Sequence, residues 1–131
     1  TAPGIIFGTP AFMSPEQAAG KPLLDARSDI YSLGAVAYFL VSGQPPFVRD
    51  TIVQVLAAHL NDVPLSLRPR CSISVDLEGI VLRCMAKDPG QRFASAVELD
   101  HALAACPEAG AWTAADAAEW WLGRSSAAVH T

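Results

Sequence analysis

Gly8-Thr9-Pro10-Ala11-Phe12-Met13-Ser14-Pro15-Glu16 is the stretch on which the reading of this chain turns. Pro3, Gly4, Gly8 and Pro10 punctuate the first fourteen residues too often for a regular element. Ser14 then fits a helix N-cap, Pro15 the first helical position and Gly20 the stop of a short helix. Two further signatures follow in order, Asp29-Ile30-Tyr31-Ser32-Leu33-Gly34 and Asp88-Pro89-Gly90-Gln91-Arg92. Each is ordinary alone. Their order and spacing carry the information.

Between and beyond these signatures the chain reads as helix and loop. A second helix is expected from Ser28 or Asp29 to Val41, closed by Gly43 and apolar nearly all round, as in a helix surrounded by protein. Gln44-Pro45-Pro46-Phe47 is a turn. A third helix, capped by Asp50, runs to Leu60 with Ile52, Val53, Leu56, Ala57 and Leu60 on one stripe. Pro64 and Pro69 place a long loop between Asn61 and Ser74. A fourth helix starts at Ser74 or Asp76, with Leu77, Ile80, Val81, Cys84 and Met85 at helical spacing, and ends before Pro89. Ser95 caps a fifth, running to Ala105, and Thr113 to Leu122 form a last short one, with frayed residues after Gly123. No stretch reads as a convincing strand, so the fold class is all-α.

Taken together, the three signatures resemble the C-terminal helical lobe of a bacterial-type protein serine/threonine kinase. The first resembles the kinase stretch that ends in Ala-Pro-Glu, with Ser14 in place of the alanine. The Gly-rich phosphate loop, the third-strand lysine, the His-Arg-Asp catalytic loop and the Asp-Phe-Gly metal motif do not occur in these residues. The resemblance implies a lobe over residues 1–105, with residues 106–131 a short acidic helical extension carrying tryptophans. The N-lobe and catalytic loop lie outside the chain, which reads as the downstream part of a longer protein. By the same resemblance the intact enzyme transfers phosphate from ATP with Mg2+ to serine or threonine hydroxyls of protein substrates. This part is expected to bind no nucleotide and to be inactive without the missing N-terminal part. The alternative is a pseudokinase-like helical module that holds partners without catalysis.

The resemblance also assigns roles to residues. In kinases the glutamate after the proline pairs with the arginine four residues beyond the Asp-Pro aspartate; here these are Glu16 and Arg92, a structural ion pair clamping distant segments. The planar guanidinium suits a carboxylate because it offers two parallel hydrogen bonds. Gly8, Thr9, Pro10 and Ala11 fall where a kinase meets its peptide substrate, and Thr9 where it touches the catalytic aspartate and lysine; a turn hydroxyl bonding local backbone is the plainer reading. Asp29 reads as a helix N-cap from its position, and by resemblance as a support for the catalytic loop. Thr1 is a candidate phosphorylation site of the activation loop. Catalytic residues proper are expected elsewhere.

Composition narrows the classes. Among 131 residues, 51% are apolar and only 17% charged, below the ~25% usual for soluble domains. Two readings stand, a surface meant to be covered or an alanine-rich genome. Net charge is −4, and after Ser95 the acids Glu98, Asp100, Glu108, Asp116 and Glu119 face Arg124 alone. That argues against nucleic acid and anionic membranes. The uncharged run Ile30–Val48 breaks at Ser42-Gly43, too short to span a bilayer. Cys71, Cys84 and Cys106 share no metal-ligand spacing and read as reduced thiols of a cytoplasmic protein; no metal is expected. His59, His101 and His130 have no nucleophile nearby. Trp112, Trp120 and Trp121 suggest a tail docked back on the domain or, alternatively, an exposed anchor for a partner.

Overall fold

Ser14 and Gln17 form a capping box: the Ser14 hydroxyl accepts from Gln17 N–H while the Gln17 side chain accepts from Ser14 N–H. The computed structural model describes residues 9–22, 24–110 and 114–130. Its helices are α1 (Pro15–Ala18), α2 (Ala26–Ser42), α3 (Ile52–Asn61), α4 (Val75–Cys84), α5 (Ala96–Ala104) and α6 (Ala114–His130). Short 3-10 turns at Thr9–Phe12, Pro89–Gln91 and Pro107–Gly110 link them, and no strand occurs among the described residues. The fold is all-α.

α2 is the axis. It packs on α4, while the Thr9–Phe12 turn lies against α2 and α3, α1 against α3, and α4 against α5. Its N-cap is Asp25, whose carboxylate accepts from Arg27 N–H, so the helix begins earlier than expected and Asp29 sits inside its first turn. Both aspartates suit a helix start; only Asp25 has the extended backbone of a cap. Gly43 ends α2 with φ of 79°, a left-handed turn that glycine takes without penalty.

One face of α2 buries Tyr31, Ala35 and Tyr38 with Phe47, Ala58, Leu67, Val81 and Met85. Ile30 turns to a second cluster with Cys84, Phe93 and Leu99. The opposite face is bare: Leu33, Val36 and Leu40 are 53%, 37% and 74% exposed. The expected all-round enclosure of α2 is therefore corrected to a half-buried helix.

α3 brings a second correction. Thr51, not Asp50, is its N-cap, and its buried face is Val55, Ala58 and His59. Ile52, Val53 and Leu60 point outward at 54%, 75% and 38% exposure. Seven of the ten positions in α3 are apolar, so its periodicity discriminates weakly. Small Ala58 and a fully bonded His59 decide the face.

The loop after α3 is held from several sides. Glu78 accepts from Ser66 Oγ and from the N–H groups of Leu67 and Arg68, and Tyr38 donates to Leu65 C=O. Beyond α5, Cys106 is buried and Glu108 accepts from both N–H and hydroxyl of Ser74, tying residues 106–110 to the start of α4. The cysteines are free thiols, two of them buried. α6 continues to His130, past the Gly123 where it was expected to fray. A single interior glycine costs only about 1 kcal/mol. Trp120, Trp121 and Leu122 are exposed, 44%, 63% and 69%, with the two indoles edge to face at 4.8 Å. The docked reading of the described tryptophans gives way to the exposed one; Trp112 lies outside the described residues.

Candidate functional site

Glu16 stands on the first turn of α1, whose orientation the capping box fixes. Arg92 follows the Pro89–Gln91 turn, which Asp88 caps by accepting from Gly90 N–H. The two side chains meet although 76 positions separate them. Arg92 Nη1 and Nη2 reach the two Glu16 oxygens at 2.8 and 2.7 Å. Nε donates to Ala86 C=O, Nη1 also to Arg27 C=O, and Nη2 also to Lys87 C=O. A guanidinium has five N–H donors, and all are used. Its side chain is 0% exposed. Ser28 Oγ adds a third donor to Glu16. The Arg92 hydrogen bonds hold the Glu16 carboxyl down to about 2, against the opposing effect of burial.

Beneath the guanidinium lies the Tyr31 ring, 5.0 Å from it. The Tyr31 oxygen is 2.7 Å from His59 Nδ1, and His59 Nε2 is 3.0 Å from Pro10 C=O. A carbonyl only accepts, so Nε2 carries the proton and Nδ1 accepts from the Tyr31 hydroxyl. The imidazole is wholly buried, edge-on to Phe47 at 5.1 Å. Burial, and then the nearby Lys87 ammonium, push its pKa down to about 4. Burial likewise brings Lys87 down to about 8 as it lies over Phe47 and Tyr31 and donates to Ala58 C=O. No motif in the sequence marks His59 for this place. The only signal for it was its four-residue spacing from Val55.

The folded chain refuses the proton that unfolded His59 accepts. Its stabilisation is thus complete above the ordinary pKa of 6.5 and is lost as pH falls toward 4. Urea unfolding at pH 5 should show about 2 kcal/mol less stability than at pH 7 from this group. His59→Gln, which does not titrate, should flatten the difference; an unchanged slope would contradict the buried neutral ring. Glu16 acts lower, between 4.5 and about 2, because its folded pKa is depressed.

The Thr9–Phe12 turn sits above this assembly, its Pro10 carbonyl on His59 and its Phe12 carbonyl accepting from Ser32 Oγ at 2.7 Å. Phe12 meets Phe39 edge to face. Over residues 4–104 the chain matches the model of the protein kinase domain. The chain belongs to the protein kinase domain family.

Its kinase relatives include the serine/threonine-protein kinase PknB of Mycobacterium leprae, 43% identical over 100 residues, which is 76% of this chain and 16% of that protein. PknB of Mycobacterium tuberculosis is 41% identical over the same share of each. The serine/threonine-protein kinase drp72 of Corynebacterium efficiens is 43% identical over 106 residues, 80% of this chain and 20% of that protein. The chain thus spans about a sixth to a fifth of the curated relatives it matches.

Against that kinase frame the remaining site residues fall into place or out of view. Asp29 is exposed, and no described residue bonds to its carboxylate. It shares a helical face with Leu33, Val36 and Leu40, at spacings of four, three and four. Thr1 and Gly8 lie outside the described residues, as does the Thr9 side chain; Pro10 is half-buried and Ala11 buried. No three His, Cys, Asp or Glu side chains among the described residues form a group that could hold a metal ion. The His-Arg-Asp and Asp-Phe-Gly motifs with which kinases hold the substrate hydroxyl and Mg2+ do not occur in these residues. No described helix is long and apolar enough to cross a membrane.

Proposed function

We propose that this chain is the substrate-side part of a serine/threonine protein kinase, acting on the cytoplasmic side where ATP is available. The observation that carries the reading is identity of about two residues in five to serine/threonine kinases over 100 residues, 76% of this chain. The turn, with Gly8 before it, faces the peptide and supplies Thr9, Pro10 and Ala11. The Glu16–Arg92 clamp holds the peptide-facing segment to the α4–α5 end of the lobe, and Thr1 precedes it as a site for an activating phosphate. The bare ridge of α2 seats upstream parts of the kinase domain, with Asp29 accepting from the catalytic-loop backbone. Phosphoryl transfer is largely positioning and charge neutralisation, and this part supplies positioning alone.

The test compares the chain with the intact kinase that carries it. Asp29→Asn should leave the unfolding curve of the chain unchanged, yet lower turnover of the intact protein on a serine/threonine peptide by about tenfold or more, the value of one charge-assisted hydrogen bond. The chain alone should bind no ATP. Micromolar ATP affinity by calorimetry, or an intact protein that transfers no phosphate, overturns the proposal.

A further inference from the structure

We propose that His59 is a positioning residue for the peptide-facing turn, a neutral splint that holds the Pro10 carbonyl at a fixed depth against α2 through Tyr31. The inference rests on the kinase reading for what the turn does, and on geometry alone for what holds it. His59 comes from α3, Tyr31 from α2 and Pro10 from the Thr9–Phe12 turn, so one ring joins three segments. Both ring nitrogens are engaged within hydrogen-bond distance, 2.7 and 3.0 Å, and the residue is 0% exposed.

The direction of the chain is fixed. Tyr31 O–H donates to Nδ1 and Nε2–H donates to the carbonyl, and neither end can reverse without losing a bond. A carbonyl cannot pass a proton on, so the arrangement conducts nothing; its product is geometry. Two aromatic rings keep the imidazole from tilting, Tyr31 at 5.6 Å and Phe47 at 5.1 Å, both edge to face. A protonated ring would have to donate from Nδ1 as well, beside the Lys87 ammonium, and the depressed pKa agrees with its exclusion. Ser32 on the Phe12 carbonyl is a second tether two residues on. His59 therefore sets where the first half of the turn lies, and Ser32 the second. A turn released at Pro10 keeps its anchor at Phe12 and shifts the residues that meet the peptide.

The intact kinase tests this with a serine/threonine peptide and Mg2+-ATP. His59→Phe keeps the flat ring and removes both hydrogen bonds. It should raise the peptide KM about tenfold, the size of one ordinary hydrogen bond, while the KM for ATP stays unchanged. His59→Gln, whose amide can still donate to the Pro10 carbonyl, should restore most of the peptide KM. A residue that only stabilises the fold would not move one KM without the other, so parallel changes, or a peptide KM within twofold of the parent, overturn the proposal. Should His59→Phe fail to fold, Tyr31→Phe removes only the donor to Nδ1 and should raise the peptide KM about threefold, a fraction of one hydrogen bond; no change there is equally fatal. Long-range 1H–15N spectra of the His59 ring in the chain are independent of catalysis. They should show the proton on Nε2, and a proton on Nδ1 overturns the splint. An unmodified intact protein without phosphotransfer sinks the kinase reading instead, and leaves the ring spectra to decide this one.

Discussion

Arg92→Ala is expected to lower the unfolding free energy of the chain by about 3–5 kcal/mol, the usual consequence of leaving one member of a buried pair behind. The loss has several parts. The Glu16 carboxylate keeps only Ser28 as a side-chain donor, the carbonyls of Arg27, Ala86 and Lys87 lose theirs, and Tyr31 loses the cation over its ring. Arg92→Lys should recover little, because an ammonium cannot reproduce a planar fork that serves one carboxylate and three carbonyls. Adding Glu16→Gln to Arg92→Ala should return part of the loss, since a neutral amide is cheaper to bury than an unpaired carboxylate. Urea denaturation of the four chains decides it. A change below about 1 kcal/mol for Arg92→Ala, the range of an exposed pair, would remove the clamp from the argument.

Gly34→Ala should be of similar size for a different reason. A Cβ built at Gly34 would lie 2.5 Å from Cys84 Cβ, 3.0 Å from Met85 Cγ and 3.2 Å from the Val81 carbonyl oxygen. Those atoms belong to α4 and its C-cap Met85, where α2 packs on them, and a Cβ and a backbone oxygen cannot swing away as a side-chain tip can. The two helices must separate, opening the core around Tyr31, Ala35 and Val81. The expected loss is about 3 kcal/mol, at the upper end for overpacking by one methyl group. Gly79→Ala is the internal control. It lies in α4 with nothing within 4 Å of its would-be Cβ, so it should gain about 0.5–1 kcal/mol from helix propensity. Gly34→Ala that melts with the parent chain would mean the helices are not packed as described.

The contrast between these two sites and α3 shows what a sequence can reveal. Asp88-Pro89 and Ser14-Pro15-Glu16 are short, ordered and rich in residues with few conformational choices, so the segments bearing the clamp stood out and their resemblance to kinases was specific. α3 offered Ile52, Val53, Leu56, Ala57 and Leu60 as one stripe, and the fold chose Val55, Ala58 and His59. A histidine enters a core when both nitrogens find partners. Those partners, Tyr31 and the Pro10 carbonyl, are 28 and 49 positions away. No local pattern announces them. Asp25 and Asp29 were confused because both suit a helix start, and backbone conformation separates them. Trp120 and Trp121 are exposed rather than docked because hydrophobicity alone does not say how far a side chain is covered.

α2 is in effect a wall shared by two rooms. The stability of this chain is written on one side only, in Tyr31, Ala35 and Tyr38, while the file of Asp29, Leu33, Val36 and Leu40 looks into the other. Changes along that file leave little trace in a melting curve of these residues. On the function proposed above, its apolar members Leu33, Val36 and Leu40 answer to the upstream part of the kinase domain across the wall.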